Sequence, residues 1–154
     1  MNIIARIEDE MIRALKEALP SEACVAIFPA NPGDFDMAQY DLAVLVHYAG
    51  ARYGGDGPSH PGQELRDMRF AVLVFVRGLR GAGGSYEALE AVRKALQNRR
   101  FAGALPARAL AEQLQEENAG IWRWEMEFSV PAVAVAAHGL APRTGGPLRF
   151  EQGE

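Results

Sequence analysis

Trp122-Arg123-Trp124-Glu125-Met126-Glu127-Phe128-Ser129-Val130 is the stretch on which the fold turns. Apolar Trp122, Trp124, Met126, Phe128 and Val130 alternate with polar Arg123, Glu125, Glu127 and Ser129. A period of two places one set on each face of a half-buried strand. Pro131 lacks an amide donor, so the strand is expected to end there or continue only along an edge. Val133 to Ala137 is a candidate short extension. Both tryptophans fall on the apolar side, which predicts core packing rather than a ligand platform.

Asn118-Ala119-Gly120 just before this strand is a turn signal. The preceding segment, Leu105 to Glu117, is rich in Ala, Leu, Glu and Gln and favours helix by propensity. A turn followed at once by a long strand argues for the opposite. Ala109 to Glu116 is expected to pair with the strand as a hairpin.

Towards the N-terminus, Arg66 to Arg77 alternates Phe70, Val72, Val74 and Val76 with Ala71, Leu73 and Phe75, a strand apolar on both faces. Asp41 to Tyr48 reads likewise, and Ala23 to Phe28 is a short strand. Asn2 to Leu19 is an amphipathic helix, with Ile4, Ile7, Met11, Leu15 and Leu19 on one stripe and Pro20 as its stop. A second helix begins near Ser85, a candidate N-cap, with Tyr86, Leu89, Val92 and Leu96 as its buried stripe and Lys94, Arg99 and Arg100 near its C-terminal end. The order predicts an α+β domain: a mainly antiparallel or mixed β-sheet with two α-helices packed on one face. It occupies residues 1–138, and 139–154, with four glycines and two prolines, reads as a flexible tail. Two glycine-rich segments remain. Gly50 to Gly62, with five glycines and two prolines, reads as a long loop, and Gly78 to Gly84 as a turn. Both are expected to order only against a neighbouring molecule.

The chain has 154 residues, a net charge of −4 and one cysteine. That length suits a single domain with its own core. The acidic balance, without a basic run beyond Arg99-Arg100, argues against gripping nucleic acid. No apolar stretch approaches the ~20 residues of a membrane-spanning helix, and Met1 to Arg13 mixes charges into its apolar positions, so neither anchor nor leader is expected. The expected site of synthesis is the cytoplasm.

No catalytic constellation is evident. His47, His60 and His138 lie apart without ligand spacing, which predicts no metal site. Cys24 lies in an apolar run and reads as inert packing. Gly81-Ala82-Gly83-Gly84-Ser85 follows a strand and opens a helix, but it lacks the lysine and spacing of a phosphate-binding loop. Asp34 and Asp36, or Glu116 and Glu117, read as solvated carboxylates. The expectation is a non-enzymatic interaction protein without cofactor.

Several landmarks resemble the bacteriophage tail terminator family, in particular its Mu-like branch and, more distantly, the lambda-type terminator. They are the helix Ile3 to Leu19, Val25-Ala26-Ile27-Phe28-Pro29, Asp41-Leu42-Ala43-Val44-Leu45-Val46, the loop Gly54-Gly55-Asp56-Gly57, and Arg69-Phe70-Ala71-Val72-Leu73-Val74-Phe75-Val76. Most telling is Glu117-Asn118-Ala119-Gly120-Ile121-Trp122 turning into Trp124 to Val130. The resemblance implies a virion structural protein that caps the tail tube as a hexameric ring at the head-proximal end of the tail. Its implied partners are its own copies, the tail tube protein and a neck or head-completion protein, with DNA passing through the lumen unrecognised. A head–tail connector or tail completion factor is the alternative, and a small-ligand module or enzyme the less favoured one. Within the terminator reading, Arg52, Tyr53, Arg77 and Arg80 are candidate intersubunit or tube contacts, because each flanks a glycine segment and Arg and Tyr are favoured at interfaces.

Overall fold

In the computed structural model the described residues are 2–31, 35–54 and 63–135. They form two helices and five strands in one mixed sheet, the predicted α+β arrangement. In chain order these are α1 (Ile3–Ala18), β1 (Cys24–Ile27), β2 (Leu42–Tyr53), β3 (Gln63–Arg77), α2 (Ser85–Leu96), β4 (Arg108–Asn118) and β5 (Ile121–Val135), with a 3₁₀ turn at Met37–Gln39 before β2. The sheet order is β1-β2-β3-β5-β4. Only β1 and β2 run parallel, joined by the crossover that holds the 3₁₀ turn; the other three pairs are antiparallel.

One face of the sheet carries the core. Val44 and Val46 of β2, Met68 to Val76 at alternate positions of β3, and Met126, Phe128 and Val130 of β5 meet Ile7, Met11 and Leu15 of α1 and Leu89, Val92 and Leu96 of α2. Side chains of this size contribute about 1.5–3 kcal/mol each when fully buried. The Asn2 side chain caps α1 by accepting from the Ala5 amide at 2.8 Å. Glu8 of α1 takes the Tyr48 amide at 3.1 Å, where β2 has outrun the end of β1. Glu10 likewise accepts from the Ala102 amide at 2.7 Å. The helix is thus tied by polar bonds, as well as by apolar contact, to β2 and to the segment that follows α2.

The hairpin of β4 and β5 forms as the turn signal predicted, against the helical propensity of β4. Ala119 and Gly120 both have positive φ, 54° and 84°, the geometry of a two-residue hairpin turn whose twist matches the strands. The Glu117 side chain accepts from the Gly120 amide at 3.0 Å.

Four expectations need correction. The strand before the first glycine segment does not stop at Tyr48 but passes through an irregularity between Tyr48 and Gly50 and runs on to Tyr53, paired with Arg66. Residues 55–62 of that segment lie outside the described residues, as does the tail 139–154. The second glycine segment is ordered within the chain: the Gly78 amide donates to Gly120 O, Gly84 to Gly81 O, and Ser85 to Gly78 O. The cap of α2 is Gly84 rather than Ser85, whose hydroxyl instead donates to Gly78 O at 2.9 Å and is buried. Tyr86 is exposed, because the buried stripe runs through Ser85, Ala88, Leu89, Val92, Ala95 and Leu96. Of the two outcomes expected at Pro131, the edge continuation holds: β5 runs on to Val135 with β3 alone paired beside it there. The Pro131 carbonyl faces away from β3 and accepts from the Leu105 amide at 2.8 Å, so its missing donor falls on the side where β4 has not yet begun.

Candidate assembly surface

The face of the sheet opposite the helices is built from the other half of each alternating strand. Near β1 and β2 it is covered by the chain itself. Residues 28–31 and 35–41 cross it, and Ala43, Leu45, Ala71 and Leu73 are buried although no helix lies over them. Phe28 packs against His47 with ring centroids 5.4 Å apart, and Phe35 against Phe75 at the same separation. The His47 ring nitrogen lies 3.2 Å from Tyr48 O, the ordinary environment of a sheet histidine. Cys24 is half-buried beside Tyr40 and pushes its hydroxyl above the ordinary value through their charge interaction and hydrogen bond.

Further along β3 and β5 this face becomes polar. Arg69 bridges Asp67 at 2.9 Å and Glu127 at 3.3 Å, and the buried Ser129 hydroxyl donates to Asp67. Burial alone would raise the Asp67 carboxyl. The hydrogen bonds from Arg69 and Ser129, with the charges of Arg69 and Arg108, outweigh it and hold the carboxyl below its usual range. The hydrogen bonds that Arg69 donates to Asp67 in turn raise the pKa of its guanidinium. These groups satisfy one another, so the cluster stiffens the face and offers no spare acid or base. Among the described residues, no group of three His, Cys, Asp or Glu side chains is placed to hold a metal ion, and no helix is long and apolar enough to cross a membrane.

Beyond the helices the sheet continues into β4, where ten of eleven residues are exposed. Its inner edge bonds to β5, and among the described residues its outer edge has no strand beside it. On the helix side, Leu114 sits opposite Trp124 in the ladder and is 45% exposed; Leu110, at the first of two register shifts, is also exposed. Glu112, Glu116 and Glu117 make the strand acidic. An edge of this length is a site for pairing unless charges and bulges protect it, and β4 carries both protections. What it presents is therefore a charged, partly apolar side surface more than a bare backbone edge.

The four residues singled out from the sequence lie at both ends of the sheet. Arg52 and Tyr53 close β2, exposed, with the Arg66 guanidinium 5.7 Å from the Tyr53 ring centre. Arg77 and Arg80 lie at the other end, beside the β4–β5 turn. Arg77 is engaged within the chain: its guanidinium donates to Tyr40 O, Met37 O and Ala38 O at 3.0–3.3 Å and pairs with Asp41 at 3.4 Å. It pins the crossover segment to the end of β3. Arg80 rests over the exposed Tyr86 ring at 5.7 Å. The structure thus places Arg77 and Arg80 at one end of the sheet, on different partners, and Arg52 and Tyr53 at the other. The exposed residues of β4 were passed over in the sequence because nothing there distinguishes an outer strand from an inner one; the only signal was its polar composition.

Residues 11–145 match the family model described as Gp37 protein. The chain belongs to the Gp37 family. No curated relative matches this Gp37 protein. Among solved structures it is similar to a chain of the "Virion of native gene transfer agent (GTA) particle", with a TM-score of 0.51 and 13% identity, covering 86% of this chain and 98% of that one. At that identity the Gp37 protein shares a fold with the virion chain.

Proposed function

We propose that this Gp37 protein is a structural component of a phage-type virion. More narrowly, we read it as a tail terminator that caps the tail tube as a ring, hexameric by the resemblance of its sequence, and performs no catalysis. It would act at the head-proximal end of the tail, with the tube protein on one side and a neck protein on the other. The observation that carries this reading is the shape of the surface: a small fold, shared with a chain of a gene transfer agent virion, that among the described residues leaves β4 exposed on both faces with an unpaired outer edge. A strand in that state has little to hold within its own chain and much to offer a neighbour. Side-by-side contacts of one surface with a different surface of the next copy close into rings when the rotation allows.

Negative-stain electron microscopy of the purified protein, alone and with cognate tail tubes, tests the proposal. Rings of tube diameter, or caps at one end of each tube, are expected. Tubes that keep growing in its presence would overturn the terminator reading. Finished tails lacking heads in a deletion strain, without overlong tubes, would reassign the protein to head–tail joining.

A further inference from the structure

Where β4 turns into β5, a groove of about 250 Å³ opens on the face opposite the helices. Phe35, Met37, Phe75 and Ile121 give it an apolar lining, and Glu116 and Arg123 are among its polar residues. The Arg123 guanidinium lies 5.8 Å from the Phe75 ring centre, and its Nε is buried without a hydrogen-bond partner among the described residues. Glu116 faces Arg123 across the ladder, yet no ion pair joins the two among the described residues. A buried donor left without an acceptor has lost its hydration with nothing in exchange, so an acceptor brought to it is favoured. The groove therefore suits an apolar group flanked by a carboxylate.

The chain contains such a segment outside the described residues. Phe150 is the one Phe, Trp or Tyr there, and it lies between Arg149 and Glu151, after Leu148. We propose that Leu148 to Glu151 of a second copy docks in this groove, with Phe150 on the apolar lining, Glu151 at the Arg123 Nε and Arg149 towards Glu116. The charges are complementary in sign. The reach of the chain favours a second copy as donor. β5 ends at Val135, about 46 Å along the strand from Ile121. The fifteen residues from Val135 to Phe150 span at most about 54 Å fully extended. Docking within one chain would need nearly complete extension, at a steep entropic cost, whereas an adjacent copy has no such constraint. The choice of donor rests on the proposed self-assembly.

The test uses the full chain with a photo-crosslinking phenylalanine analogue at position 150, irradiated in assembled samples and mapped by mass spectrometry. Adducts of two-chain mass, joining position 150 to peptides containing Phe75 or Ile121, are expected. Their yield should fall about tenfold with Ile121→Lys, whose folding is checked by circular dichroism. Arg123→Glu should reduce the yield, and Arg123→Glu with Glu151→Arg should restore it. Adducts elsewhere, adducts confined to single chains, or yields indifferent to these substitutions would overturn the proposal. Microscopy of the same samples separates the two readings: rings without groove adducts would sink the docking alone, and groove adducts without rings would sink the ring alone.

Discussion

Arg77 and Arg80 are three residues apart and differ in what they hold. Arg77 satisfies three carbonyls of the crossover segment, so removing it leaves those acceptors without their charged donor. Arg77→Ala is expected to cost about 1–3 kcal/mol in urea denaturation, while Arg80→Ala, at an exposed position, should stay within about 0.5 kcal/mol. A loss of assembly in an Arg77 variant would therefore confound stability with contact, and Arg80 is the cleaner probe of an interface. Asp67 makes a prediction in pH. Its carboxyl is held below the ordinary range in the folded chain, so between the folded value and the ordinary value near 4 the unfolded chain binds the proton more readily. The stability it contributes is complete above that ordinary value and is lost as pH falls through the folded one. Asp67→Asn should flatten the acid side of a plot of unfolding free energy against pH below about 4; an unchanged slope would show that the cluster with Arg69 and Ser129 does not act in this way.

At the scale of the element, the β4–β5 hairpin carries two predictions of opposite kind. Ala119 sits at φ 54°, where a Cβ is strained, so Ala119→Gly should raise stability by about 0.5–1 kcal/mol, measured as a higher midpoint of unfolding. Leu114 is half exposed on β4, so Leu114→Lys should leave the stability of the isolated chain within about 0.5 kcal/mol. It should nonetheless weaken self-association in sedimentation, if the side surface of β4 is what neighbouring copies use. Association unaffected by a charge at this position would exclude that part of the strand from the contact. Element by element, the alternations of β3 and β5 and the stripe of α1 were legible in the sequence because periodicity survives whatever packs on it. The extent of β2 was not, because Gly50, read as a loop residue, is carried within a paired strand by a local irregularity and the partner Arg66 to Arg69.

At the scale of the molecule, one core joins α1, α2 and four of the strands, and β5 runs through it with Met126, Phe128 and Val130 fully buried. Both tryptophans lie on that strand, so their fluorescence reports on the strand shared by core and hairpin. Unfolding followed by tryptophan fluorescence and by far-ultraviolet circular dichroism should give coincident, two-state transitions. An earlier fluorescence transition would mean that the hairpin melts apart from the core. The polar cluster around Asp67 and the groove at Arg123 were not legible beforehand. Each gathers residues from two or more separate segments whose meeting depends on strand register, which one sequence does not state.

What the sequence by itself determined was the kind and order of the elements. Period-two and helical spacings of apolar residues, the Pro20 stop and the Ala119-Gly120 turn are local, and the free energies behind them act over a few residues. Only the tertiary structure decided that a segment with helical propensity, Arg108 to Asn118, lies extended as the outer strand, that Pro131 stays inside β5, and that Arg77 ties down the crossover. Each of those outcomes is set by partners distant in sequence: the backbone ladder of β5 outweighs the small propensity differences of β4, and carbonyls forty residues away claim the Arg77 guanidinium.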